Sequence, residues 1–99
     1  MEQYYTGEVV SLYFEHRDSG ALVDATTSAK IAIEDSSGQV VIAATTALPG
    51  TGTTGKYQYG YAIDAAAKTG VYTAQATFTN GSDINKEGTI NFTVEKKIG

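Results

Sequence analysis

Cysteine and tryptophan are absent from this 99-residue chain, and histidine and proline occur once each. Without cysteine there is no disulfide, no thiolate nucleophile and no thiolate-bound metal. Small domains often need such staples, so this one must hold by packing. The single histidine, His16, has no second imidazole with which to complete a zinc site. Basic residues are also sparse. Seven Lys and Arg against 11 Asp and Glu leave a net charge of −4. Binding to nucleic acid without sequence preference needs clustered Lys and Arg, so this balance argues against such a partner. No apolar run approaches the length that crosses a bilayer, and no membrane partner is expected. The start, Met1-Glu-Gln-Tyr-Tyr-Thr6, lacks the basic and apolar stretches of a signal peptide. It reads as a chain made in the cytoplasm, unless it is a domain excised from a longer one.

What the chain does have is alternation. Tyr57, Tyr59, Tyr61 and Ile63 recur at every second position, as do Tyr72, Ala74, Ala76 and Phe78. A period of two belongs to β-strands, whose successive side chains point to opposite faces. The tyrosines share a phase with Ile63, which places them toward a core with their hydroxyls reaching water. A first strand over residues 7–14 turns Val10, Leu12 and Phe14 inward and Val9, Ser11 and Tyr13 outward. Ile31 and Ile33 mark a second strand, residues 29–34. The turn Asp35-Ser-Ser-Gly38 predicts a hairpin with residues 39–45, whose apolar run leaves its faces ambiguous. Asn80-Gly81 signals another tight hairpin. Residues 82–87 are expected to lengthen that connection, with Ile84 inward. The last strand, 88–95, points Ile90, Phe92 and Val94 to the core.

The remaining pieces read as connections. Pro49 and three glycines in residues 48–55 make a mobile loop. Asp64 and Gly70, bracketing three alanines, could cap one helical turn. Residues 1–6 read as an N-terminal arm and 96–99 as a frayed end. Together these give one domain, 1–99, of about seven short strands in two sheets packed about 10 Å apart.

Thr69-Gly-Val-Tyr-Thr-Ala74 resembles the Asp-x-Gly-x-Tyr-x-Cys segment of immunoglobulin folds, whose Tyr forms the tyrosine corner. Gly70 and Tyr72 match. Lys68 stands in place of the Asp and Ala74 in place of the Cys. The chain therefore does not resemble an antibody-type domain. Its motif order is similar to the bacterial, macroglobulin-like and phage branch of these sandwiches. That order runs Arg17-Asp-Ser-Gly20, an Ile-x-Ile strand, Asp35-Ser-Ser-Gly38, a Gly-x-Tyr-x-Tyr strand, a Gly-x-Tyr strand and a Phe-x-Val strand. The resemblance implies an all-β, immunoglobulin-like antiparallel sandwich of Greek-key type with Tyr72 as its structural corner. It also implies a small structural protein of a tailed-phage virion, such as a head-decoration or neck or tail accessory subunit, made in the host cytoplasm. The alternatives are a repeat from a secreted bacterial adhesin, displayed at the cell surface, and a carbohydrate-binding module using Tyr57, Tyr59 and Tyr61 as an exposed aromatic platform.

The residues offer little chemistry. His16, between Glu15 and Arg17 at a strand end, reads as a solvated side chain. Asp18, Asp24, Asp35, Asp64 and Asp83 sit in turns, where a carboxylate bonds local backbone. Asp83 and Asn85, or Asp35 with its serines, are a thin beginning for a calcium site. The glycine-rich stretch before Lys56 leads into Tyr57 and a strand, not into the helix a phosphate loop needs. No cofactor and no catalysis are expected. Tyr4 and Tyr5, ahead of the first strand, and Val9 and Tyr13, on its outer face, are apolar where a monomer would leave them wet. They predict contact with another structural subunit, either a shell or neck protein or a second copy of this chain.

Overall fold

Alternation builds the strands, and their inner faces build two layers. The structure, a computed structural model, describes residues 2–96, leaving aside the side chains of residues 83 and 85–87. Among the described residues there are nine strands and no helix. They are β1 (Glu2–Tyr5), β2 (Val9–Glu15), β3 (Arg17–Asp18), β4 (Ala21–Leu22), β5 (Ser28–Glu34), β6 (Val40–Ala47), β7 (Lys56–Ala62), β8 (Gly70–Asn80) and β9 (Asp83–Glu95). One sheet has five strands in the order β1-β9-β8-β5-β6, and a second pairs β2 with β7. A small ribbon joins β3 to β4. Every pairing is antiparallel except that of β1 with β9, which is parallel.

The core lies between the two sheets. From β2 come Val10, Leu12 and Phe14, and from β7 and its end Tyr57, Tyr61 and Ile63. The larger sheet answers with Ile31, Ile33, Tyr72, Ala74, Ala76, Phe78, Phe92 and Val94. Ring contacts cross the gap. Tyr57 lies 5.0 Å from Phe78, and Tyr61 lies 6.4 Å from both Tyr72 and Phe92. Burial of aromatic area of this kind dominates the energetics of so small a core.

Several expectations are corrected. The arm assigned to 1–6 holds a strand, because β9 offers an unpaired edge and Glu2 to Tyr5 pair with Phe92 to Glu95. The stretch 64–70 makes a single turn closed by Ala67 N donating to Asp64 O at 3.0 Å, not a helical one. Residues 83–87 continue β9 instead of lengthening a loop, since Asn80 pairs with Asp83 across the two-residue turn Gly81-Ser82. Ile84 is therefore 66 % exposed at the far end of the hairpin, beyond the reach of the second sheet. Beyond Lys96, the frayed end lies outside the described residues. The glycine-rich loop is tied by its own bonds, with Thr51 N donating to Lys56 O at 3.0 Å and Gln58 N to Pro49 O at 3.0 Å.

Gly88 shows how the layers fit. Between Gln75 and Ala76 the β8–β9 register slips, and Gly88 is the extra residue of the bulge, with φ at +68°. An added Cβ would lie 2.8 Å from Phe14 Cδ1. Backbone conformation and core space therefore both demand glycine there. Gly38 also has a positive φ, but its Cβ direction is open. Gly88→Ala should lower stability by about 3 kcal/mol, combining left-handed strain with overpacking. Gly38→Ala should cost only about 1 kcal/mol, from the strain alone. Urea denaturation of the two variants measures the difference.

Candidate interaction surface

The outer face of the β2–β7 sheet is built by register. Val9 stands opposite Ala62, Ser11 opposite Gly60, Tyr13 opposite Gln58 and Glu15 opposite Lys56. Val9 and Tyr13 are 62 % and 63 % exposed. Gly60 contributes no side chain, so the middle of the face is a shallow trough between them. Charge is confined to one end, where Glu15 is bonded by Arg17 at 3.3 Å and lies 3.9 Å from Lys56. Tyr5 is also exposed on β1, while Tyr4 packs edge-on to Phe92 at 5.9 Å. Of the four residues singled out for contact, Val9, Tyr13 and Tyr5 thus lie open, and Tyr4 belongs largely to the core rim, its hydroxyl donating to Glu2.

His16 is not solvated. It is fully buried, because the inward phase of Val10, Leu12 and Phe14 continues one step beyond the strand. Its ring stacks on Phe78 at 4.6 Å. Asn80 Oδ1 accepts from Thr26 N at 2.9 Å, which turns the amide nitrogen toward His16 Nε2 at 3.0 Å. Nε2 is therefore the acceptor. This is a polar contact inside the core.

Asp35 and Asp64 bond local groups, as their turns imply. Asp24, expected to do the same, reaches 31 residues along the chain to the backbone that opens β7. Asp24 Oδ1 accepts from Gly55 N at 2.7 Å and Asp64 Oδ1 from Ala66 N at 2.8 Å. Asp35 Oδ1 accepts from the Ser37 hydroxyl at 2.7 Å, the Ser37 amide at 2.9 Å and the Gln39 amide at 3.0 Å. No group of acidic and histidine side chains among the described residues could hold a metal ion. The side chains of Asp83 and Asn85 lie outside that description.

One depression of about 490 Å³ gathers titratable groups, with Asp35, Asp64, Lys68, Tyr61 and Tyr72 on its walls. Burial pushes both tyrosine hydroxyls up, so they stay protonated. Tyr72 Oη donates to Lys68 O at 2.7 Å, and Lys68 Nζ donates to Ser37 Oγ at 3.2 Å. Tyr57 Oη accepts from Ala25 N at 2.8 Å. These polar atoms brace the ends of the sandwich. Tyr57 and Tyr61 are buried and Tyr59 is half-buried, so the three do not form an exposed platform.

Comparison with protein-family models, with curated proteins and with solved structures gives no match to this chain.

The Asp35 turn makes a prediction about pH. The Ser37 hydroxyl leads, desolvation opposes it and the two amides add, which holds the carboxyl below its ordinary 3.8. A carboxylate depressed in the folded state contributes stability above its unfolded value and loses it as pH falls through the folded value. The stability gap between the natural chain and Asp35→Ala should therefore be full at neutral pH. It should shrink steadily below pH 3.8. Chemical denaturation of both proteins across that range reads it directly.

Proposed function

We propose that this chain is a non-enzymatic docking module with an immunoglobulin-like fold, serving as a small structural subunit of a tailed-phage virion at the head, neck or tail. The observation that carries the docking reading is the outer face of β2, where Val9 and Tyr13 stand exposed on either side of the Ser11–Gly60 pair.

Strand order supports the immunoglobulin-like reading. Strands B and E of that fold share one sheet, and C, F and G share the other. Here β2 pairs with β7, and β5, β8 and β9 lie side by side with β6 added at the edge. The chain passes between the layers from β2 to β5, back from β6 to β7, and across again to β8, as a Greek key requires. Tyr72, near the start of β8, bonds the backbone four residues upstream, as a tyrosine corner does. The phage assignment rests on the motif order from Arg17-Asp-Ser-Gly20 to Phe92-Thr-Val94. The sugar-binding alternative is weakened by the burial of Tyr57 and Tyr61.

Native mass measurement tests the docking reading, with the chain alone and after mixing with head, neck and tail proteins of the source phage. A stoichiometric complex with one of them is the expected result, weakened by Tyr13→Ala or Val9→Ser. A turnover abolished by one polar substitution would overturn it. A native reading frame carrying an export signal and flanking repeats would move the chain to the adhesin class. For the corner, Tyr72→Phe should lower stability by about 1 kcal/mol, the net worth of one partly buried hydrogen bond, as measured by thermal or urea unfolding.

A further inference from the structure

The two-stranded sheet ends at β2, and half of that strand's backbone is unused. Ile63 N donates to Glu8 O at 2.9 Å and His16 N to Gly55 O at 2.8 Å, which fixes the parity of the ladder. In an antiparallel pair the N–H and C=O of one residue point to the same side, and that side alternates along the strand. Val10, Leu12 and Phe14 therefore bond to β7, opposite Tyr61, Tyr59 and Tyr57. The amides and carbonyls of Val9, Ser11 and Tyr13 point away from it, and no strand among the described residues pairs with them. Below this edge the larger sheet runs further. β2 packs over β9, and β1 lies beyond β9. On this side the short sheet thus stops over β9, one strand before the edge of the long one. A notch of about 220 Å³ remains, walled by Val10 and Leu12, by Ile90 and Phe92, and by Glu2 and Tyr4.

We propose that this notch accepts one extended strand of a partner polypeptide, pairing with Val9, Ser11 and Tyr13. Alternate apolar side chains of that strand settle on Leu12, Phe92 and Tyr4. Main-chain bonds then supply affinity and the notch supplies selectivity. The proposal rests on the docking reading above and gives it a location. Charge selects the occupant. Glu2 lines the notch and Glu8 stands before the first residue of β2, and neither is ion-paired with a described basic residue. At the other end Glu15 is already engaged by Arg17 and Lys56. The complement is an apolar strand flanked by Lys or Arg. A second copy, itself at −4, brings the opposite of what the site attracts. Two β2 edges would also have to bring their projecting β1 strands into the same space. Of the other long edges, β7 is partly capped by residues 49–51, and β6 slips register twice against β5. Such irregularity spoils a strand as a template.

The test uses the whole chain, isotope-labelled, with two synthetic peptides. One is Lys-Lys-Thr-Val-Thr-Val-Thr-Val-Thr-Lys-Lys, and the other has the same core flanked by Glu. In the free chain, amides of Val9, Ser11 and Tyr13 should exchange at least about tenfold faster than those of Val10, Leu12 and Phe14. The Lys-flanked peptide should slow the first set, and the Glu-flanked one should bind at least about tenfold more weakly. Two N-methylated versions, one at the threonines and one at the valines, separate the ladder from the side chains. The version whose methylated amides face β2 (threonines if the strands run antiparallel, valines if parallel) should abolish the protection. Ser11→Pro removes only an N–H that faces the free edge, so it should preserve the native spectrum and lose the peptide. If that variant does not fold, the N-methylated peptides still decide. The proposal falls if the three amides are protected in the free chain, including by a dimer seen in sedimentation. It falls equally if millimolar Lys-flanked peptide leaves them exchanging freely, or protects β6 instead. Those outcomes remove the site while the virion complex of the preceding experiment can still form. Protection at the notch with no virion complex would instead remove the virion assignment and keep the site.

Discussion

Phe78 and Phe92 stand on neighbouring strands of the larger sheet, and the rings of the smaller sheet rest on them. Tyr57 and His16 pack on Phe78, and Tyr61 packs on Phe92. This aromatic seam fixes the spacing and register of the two layers. Everything that meets it must keep strict alternation, because one slipped residue would turn a whole apolar set to water. The bulge at Gly88 is the one place where the β8–β9 ladder yields, and it does so against the ring of Phe14. Small residues supply the remaining fit, with Ala74 and Ala76 fully buried between the larger side chains of β8.

Polar chemistry in this molecule serves the ends of the sandwich. Asp35 closes the β5–β6 turn, Asp24 pins the start of β7 through Gly55, and Asn80 joins the β8 terminus to His16 and Thr26. Each of these groups would be costly to bury without a partner and has one. No buried side-chain nitrogen or oxygen among the described residues lacks a hydrogen-bond partner. At the surface, Val9 and Tyr13 stand exposed on the outer face of β2, and the outer edge of that strand pairs with no described strand.

The inner faces of β2, β5, β8 and β9 were legible because alternation needs only local information. Val10, Leu12, Phe14, Ile31, Ile33, Tyr72, Phe78, Phe92 and Val94 are all buried where the period of two puts them. His16 was missed although its phase was on the page. Its charged neighbours Glu15 and Arg17 suggested a strand end, and its partner Asn80 lies 64 residues away. β1 was missed because a four-residue strand with little alternation forms only when another strand offers its edge. The helical turn at 64–70 looked plausible from caps and alanines, but a segment so short has no helical stability of its own.

Composition and period by themselves determined that this chain is all-strand, built without disulfides, with its apolar faces turned to one core. Those properties follow from residue identity and from which face each residue takes, and both are local. The order of strands across the larger sheet, the parallel seat of β1 and the vacancy beside β2 were decided only by the folded whole. They depend on which edges meet after distant segments close on the Phe78 and Phe92 rings. Sequence spacing carries no record of that meeting.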